Sequence, residues 1–166
     1  MSSNSQAADR ALNRLYQGAV SLSGEWRFQL DPKSVGEGER WFEKKAFSTT
    51  IKVPGCWDVQ GKGIPGEITT IANADDTQPH VRTVTAYNGI AWYKRSFSVP
   101  KSWRDKRVWL NIGGVNDRAK VWINGQPAGD HDGYCTGFKL DITSLVHLDS
   151  PNDCTILVSN APRPEG

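Results

Sequence analysis

The stretch Arg107-Val-Trp-Leu-Asn-Ile-Gly-Gly-Val-Asn-Asp-Arg-Ala-Lys-Val-Trp-Ile-Asn-Gly125 decides how this chain folds. Val108, Leu110 and Ile112 recur at every second position over Arg107–Ile112, with Trp109 on the other face. Ala119–Asn124 repeats the arrangement, with Val121 and Ile123 together and Trp122 opposite. A period of two belongs to a strand, whose successive side chains point to opposite faces. Asn124-Gly125 is a two-residue signal for the primed turn that closes a hairpin. Gly113-Gly114 allows a tight bend or bulge after the first strand.

The same period extends outward. In Gly24–Leu30, Trp26, Phe28 and Leu30 alternate with Glu25, Arg27 and Gln29. Thr49–Val53 is a short β-prone run stopped by Pro54-Gly55. Trp92–Pro100 puts Tyr93, Phe97 and Val99 on one face. Phe138–Ile142 and Cys154–Ser159 complete the set, the last with Ile156 and Val158 together. Asp31, Pro32, Gly36 and Gly38 make a loop. Asp58–Tyr87 shows little periodicity and reads as an unstructured stretch of about 30 residues, a length that more often carries function than decoration. One helical spacing occurs, at Ala11, Leu12, Leu15 and Tyr16 within Asp9–Gln17, capped by Asp9 and too short to be stable alone. Short strands and regular turns predict an all-β fold, an antiparallel β-sandwich or jelly roll.

The chain has 166 residues, enough for one domain and its core. Twenty basic against eighteen acidic side chains give +2, which argues against a phosphate-backbone binder. No run approaches the roughly 20 apolar residues of a membrane helix. Seven tryptophans, 16 glycines and nine prolines lean towards β-structure and flat ligands such as sugar rings. Cys56, Cys135 and Cys154 form no CxxC pair, and His80, His131 and His147 stand at no zinc spacing. One disulfide with a thiol left over, or none, fits this count. Asp75-Asp76, Asp130 and Asp132 could ligate calcium, although loop solubility and Asx turns account for them more simply. GxSxG, Walker, GxGxxG and HExxH motifs are all missing. Trp26 and Trp57 read as packing residues. Trp92, Trp109 and Trp122 remain open between a second apolar layer, a face against another domain and a sugar platform, with packing the default.

Several segments together resemble the sugar-binding domain at the N-terminus of glycoside hydrolase family 2 enzymes. Asn88-Gly-Ile-Ala-Trp-Tyr-Lys-Arg-Ser-Phe-Ser-Val-Pro100 is similar to its Trp-Tyr strand. Leu22-Ser-Gly-Glu-Trp-Arg-Phe28, Val53-Pro-Gly-Cys-Trp57, Arg107–Val115 with Ala119–Gly125, and Phe138–Thr143 follow in the family's order. One loop departs from it: Tyr134 stands where the family has a second glycine, and Cys135 where it has an aromatic residue.

This resemblance implies a jelly roll of the galactose-binding type over residues 21–162, after a polar segment at 1–20 and before a linker starting at 163–166. Family enzymes continue into an immunoglobulin-like domain and a catalytic barrel that carries the reacting glutamates. The expectation is therefore a non-catalytic carbohydrate-binding domain whose parent hydrolyses β-glycosidic bonds, of β-galactosidase or β-glucuronidase type. Its partners would be carbohydrate and the remainder of that hydrolase, with neither nucleic acid nor membrane. The alternatives are a purely structural domain docking on the barrel and a free-standing binding module. Asn88 occupies a family sugar-contact position, and Tyr87, His131, Asp132 and Tyr134 join it as candidates. No cofactor is implied, a structural calcium being the one exception left open. Met1–Arg10 has no apolar core and is not a signal peptide. The resemblance nevertheless implies a bacterial, exported protein, periplasmic or extracellular.

Overall fold

The computed structural model describes residues 18–43, 46–63, 68–71 and 82–162. Among these residues ten strands run in order: β1 (Gly24–Asp31), β2 (Thr49–Val53), β3 (Ile68–Ile71), β4 (Arg82–Thr85), β5 (Ile90–Phe97), β6 (Trp109–Val115), β7 (Arg118–Ile123), β8 (Gln126–Asp132), β9 (Thr136–Asp141) and β10 (Asn152–Ser159). A six-stranded sheet has the order β2-β1-β5-β10-β7-β8; β6 pairs with β9, and β3 with β4. Every pairing is antiparallel. The fold is an antiparallel β-sandwich. The short helix expected at Asp9–Gln17 and the tail at 163–166 lie outside the described residues.

The main core lies between the large sheet and the layer containing β6 and β9. From one face of the sheet come Trp26 and Phe28, Ala91 and Tyr93, Ala119, Val121 and Ile123, and Cys154, Ile156 and Val158. They meet Leu110, Ile112, Phe138 and Leu140 from the β6–β9 pair. Trp57 closes the other flank, with its ring 6.4 Å from Phe28 and 6.0 Å from Tyr87.

The sheet's opposite face carries a second core. Trp92, Trp122 and Leu157 are buried there with Phe47, and Trp41, Phe42 and Ile90 pack around them. Phe42 stacks on Trp122 at 4.9 Å, and Trp122 on Trp92 at 5.4 Å. Asp31 anchors this covering loop: its carboxylate accepts the backbone N–H groups of Val35 (2.9 Å) and Gly36 (2.8 Å) and the Trp92 indole N–H (3.1 Å). Trp92 and Trp122 therefore form a second apolar layer sealed by the chain's own loop. Trp109 belongs to the other layer and is 42% exposed.

The expected strands are present, with their ends displaced. β5 begins at Ile90 rather than Trp92, and β6 at Trp109 rather than Arg107. The register of β6 shifts between Ile112 and Val115, the glycine bulge anticipated there. The Asp58–Tyr87 stretch is not unstructured throughout, since β3 and β4 pair within it. Their threonine-rich sequences are β-prone, but four residues are too few to show a period. β8 carried no periodic signal. It is an edge strand held by its ladder to β7, with Pro127 at a register shift, where a missing N–H costs little.

Candidate functional site

Register places the candidate residues at one end of the large sheet. Asp31 pairs with Ile90, Ile90 with Ser159, Ser159 with Arg118, and Arg118 with Asp132. The lead into β5, the exit of β10 and the turns after β6 and β8 therefore share this rim. Asn88 stands on the β5 side, whereas His131, Asp132 and Tyr134 stand on the β8 side. Three strand spacings separate the two sides, about 14 Å. The rim gathers the candidates on one edge without closing them into one cluster.

Tyr87, a candidate sugar contact in the sequence, lies inside the fold and not on the rim's surface. It is 3% exposed and packed in the main core. Its hydroxyl donates to the Ile90 carbonyl at 2.8 Å and accepts the Ile90 N–H at 3.1 Å. Its own carbonyl accepts the Trp57 indole N–H and the Asn160 side-chain amide. A buried phenol of this kind braces the loop and offers no face to a ligand.

Asn88 itself is exposed, on a loop whose flanks are held. Tyr87 N–H donates to Asp58 Oδ1 at 3.1 Å, and Gly89 N–H to Asn160 Oδ1 at 2.8 Å. Asn160 N–H returns to the Gly89 carbonyl at 3.2 Å. Gly89 cannot carry a side chain, because a Cβ would come within 2.6 Å of the Tyr87 hydroxyl. Asp58 and Asn160 escaped the sequence reading. They act on the loop through backbone groups 29 and 71 positions away, a separation no local motif signals. Burial raises the Asp58 carboxyl above its ordinary range, and the Tyr87 N–H partly opposes this.

Across the rim, His131 is half-buried, its ring stacked on Phe138 at 4.3 Å and its Nε2 2.8 Å from Thr136 Oγ1. Gly133 N–H donates to the Asp117 carbonyl and Cys135 N–H to the Val115 carbonyl, which ties the β8–β9 turn to the β6–β7 turn. Tyr134 projects from this braced turn and is 72% exposed. Asp132 is exposed beside it. An exposed amide, a carboxylate, a phenol and an imidazole edge can exchange hydrogen bonds with hydroxyl groups. They contain no nucleophile held against a base, the arrangement covalent catalysis needs.

Asp75 and Asp76 lie outside the described residues. Among the described residues no three His, Cys, Asp or Glu side chains gather in the manner of a metal site. The three thiols are unpaired: Cys56 and Cys135 are exposed, while Cys154 is buried and its thiol pushed up to about 12 by desolvation. Away from the rim, a polar groove of about 570 Å³ lies towards the opposite end of the large sheet, lined by Glu25, Arg27, Thr50, Lys94 and Asp153 among others.

Comparison with known proteins accords with this architecture. Residues 19–160 match the family model described as "Glycosyl hydrolases family 2, sugar binding domain". A β-glucuronidase of Paenibacillus borealis is 32% identical over 139 residues, covering 84% of this chain and 20% of that protein. A β-galactosidase of Priestia megaterium is 31% identical over 146 residues, covering 83% of this chain and 14% of its own. The solved β-glucuronidase of Ruminococcus gnavus superposes with a TM-score of 0.68 at 25% identity, over 85% of this chain and 21% of that one. The chain thus spans about a fifth or less of the length of these relatives. By the extent of the family match and the sandwich that carries it, this chain belongs to the sugar-binding domain family of the family 2 glycosyl hydrolases.

Proposed function

We propose that this domain holds a saccharide at the rim, between the Asn88 loop and the β8–β9 turn, as part of a longer hydrolase that cleaves β-glycosidic bonds. The observation that carries the reading is the family match over residues 19–160, coupled to a rim that presents Asn88, Asp132 and Tyr134 to solvent. The short stretch covered in relatives called β-glucuronidase and β-galactosidase supports a parent of that type, with the bond-breaking carboxylates on other domains. The remaining domains would then be this chain's protein partners. An exported setting, periplasmic or extracellular, belongs to the same proposal. A purely structural role loses part of its motive, because Trp92 and Trp122 are already covered from within the chain.

NMR titration with β-galactosides, β-glucuronides and β-mannosides tests the rim. Shifts should concentrate at Asn88 and at Gly133–Cys135. Asn88→Ala and Tyr134→Ala should each weaken binding several-fold, since a hydrogen bond or a ring contact contributes about 1 kcal/mol. No rim shift with any of these sugars at millimolar concentration would sink the proposal.

A further inference from the structure

Trp109 is the one tryptophan the fold leaves in solvent. All seven lie among the described residues; six are buried or half-buried, and Trp109 is 42% exposed. It stands on the outer face of the β6–β9 pair. Register puts Asp141 opposite Trp109 and Lys139 opposite Asn111, all of them exposed. Lys139 Nζ lies over the indole ring at 5.2 Å from its centroid, and Arg107 Cζ lies over it at 5.9 Å. The single acid here is engaged by its own turn: Asp141 Oδ1 accepts the Thr143 hydroxyl at 2.5 Å and the Thr143 N–H at 3.0 Å. Arg107 Nε approaches its other oxygen only to 3.8 Å.

Beyond Asn111 the strip becomes bare backbone, at Gly113 and Gly137. The fold explains Gly137, whose Cβ would meet the Gly113 and Ile112 carbonyl oxygens at 3.0 and 3.1 Å. Gly113 lies in the bulge between Ile112 and Val115, but no neighbour excludes a side chain from it. A Cβ there would find nothing within 4 Å, and its φ is not in the left-handed region. Glycine inside a strand weakens it and marks either a bulge, as here, or a place where a ligand approaches the backbone. From Trp109 to Gly113 the strip is about 13 Å long.

We infer that this outer face is a binding strip for an acidic saccharide. The apolar C–H face of one sugar ring displaces the exposed cations now over Trp109 and stacks there, and its anionic group draws Lys139 and Arg107 to the edge of the ring. Asn111 takes a hydroxyl, and a neighbouring sugar unit lies over the bare backbone at Gly113. A protein partner fits less well, because the centre of a protein interface is depleted of charged residues such as Lys and Asp. Here one ring stands among charged and amide groups. The inference rests on the saccharide-binding reading above and adds a second surface to it, on the side of the sandwich away from the six-stranded sheet.

The test is an NMR titration of this chain with a hyaluronan tetrasaccharide, which carries uronates, and with cellotetraose, which is neutral and of equal length. The Trp109 indole N–H, assigned by its loss in Trp109→Phe, should shift with the acidic sugar. Trp109→Ala should weaken that binding about tenfold. Arg107→Ala with Lys139→Ala should abolish the preference for the acidic sugar, and added salt should weaken it. Gly113→Val should leave the melting temperature unchanged or raised and still lower the affinity. An unmoved indole, or a Trp109→Ala chain that binds as the parent does, would overturn the inference. Shifts confined to Asn88 and Gly133–Cys135 would sink the strip and spare the rim; shifts confined to the strip would do the reverse. Self-association abolished by Trp109→Ala, without any sugar-induced shift, would make the strip a protein contact and equally overturn the inference.

Discussion

Asp58 shows how one side chain connects the core to the rim. Its Oδ1 accepts the Tyr87 N–H, and its Oδ2 lies 3.9 Å from the Cys56 thiol. Burial raises this carboxyl above the ordinary aspartate value. A raised value in the folded state means the fold holds the proton more tightly than the unfolded chain. The resulting stability is full below the unfolded value and is lost as pH rises through the folded one. Asp58→Asn stays neutral and keeps an oxygen for the Tyr87 N–H. Its stability relative to the parent should therefore improve as pH goes from about 4 to about 7. Urea midpoints at the two pH values measure this, and a difference that does not change with pH would contradict it. Asp58 was legible in the sequence only as a loop aspartate, because its partner is 29 residues away.

At the scale of elements, the β7–β8 hairpin shows a turn doing two tasks. Asn124 and Gly125 both take positive φ, 54° and 77°, the conformation that the primed turn demands. Asn124 also reaches outward. Its Nδ2 donates to the Leu145 carbonyl and to Asn152 Oδ1, each at 2.8 Å, and its Oδ1 accepts the Asp153 N–H at 2.9 Å. One residue thus closes a hairpin and pins the entry of β10. Asn124→Ala should cost about 2–4 kcal/mol, more than a turn substitution alone, by combining backbone strain with the loss of three part-buried hydrogen bonds. Asn124→Gly should recover only the turn share. Chemical denaturation of the two variants separates the terms; equal losses would show that the outward bonds contribute nothing. The turn was legible as an Asn-Gly pair, whereas its bonds to β10 were not.

For the whole molecule, the decisive feature is one sheet with a core on each face. β5, β7 and β10 supply Ala91, Ala119 and Ile156 to one core and Trp92, Trp122 and Leu157 to the other. Neither core can be lost without disturbing strands the other needs. Ile123→Ala in the main core and Phe47→Ala under the covering loop should each cost about 3 kcal/mol. Both should lower a single cooperative transition, seen together by tryptophan fluorescence and far-UV circular dichroism. Two separated transitions in the Phe47→Ala chain would mean that the loop side folds independently.

Alternation along Gly24–Leu30, Arg107–Ile112 and Ala119–Asn124 determined by itself which residues face the core, because side-chain direction in a strand is a local, period-two property. Order and identity of the motifs likewise carried the family. Tertiary structure alone decided what covers the opposite faces. Trp92, Trp109 and Trp122 are alike in sequence pattern, yet two are sealed beneath Trp41, Phe42 and Phe47 and one is left in water. Among the described residues the difference comes from a loop that crosses one sheet and not the other, and alternation within a strand holds no information about what lands on it.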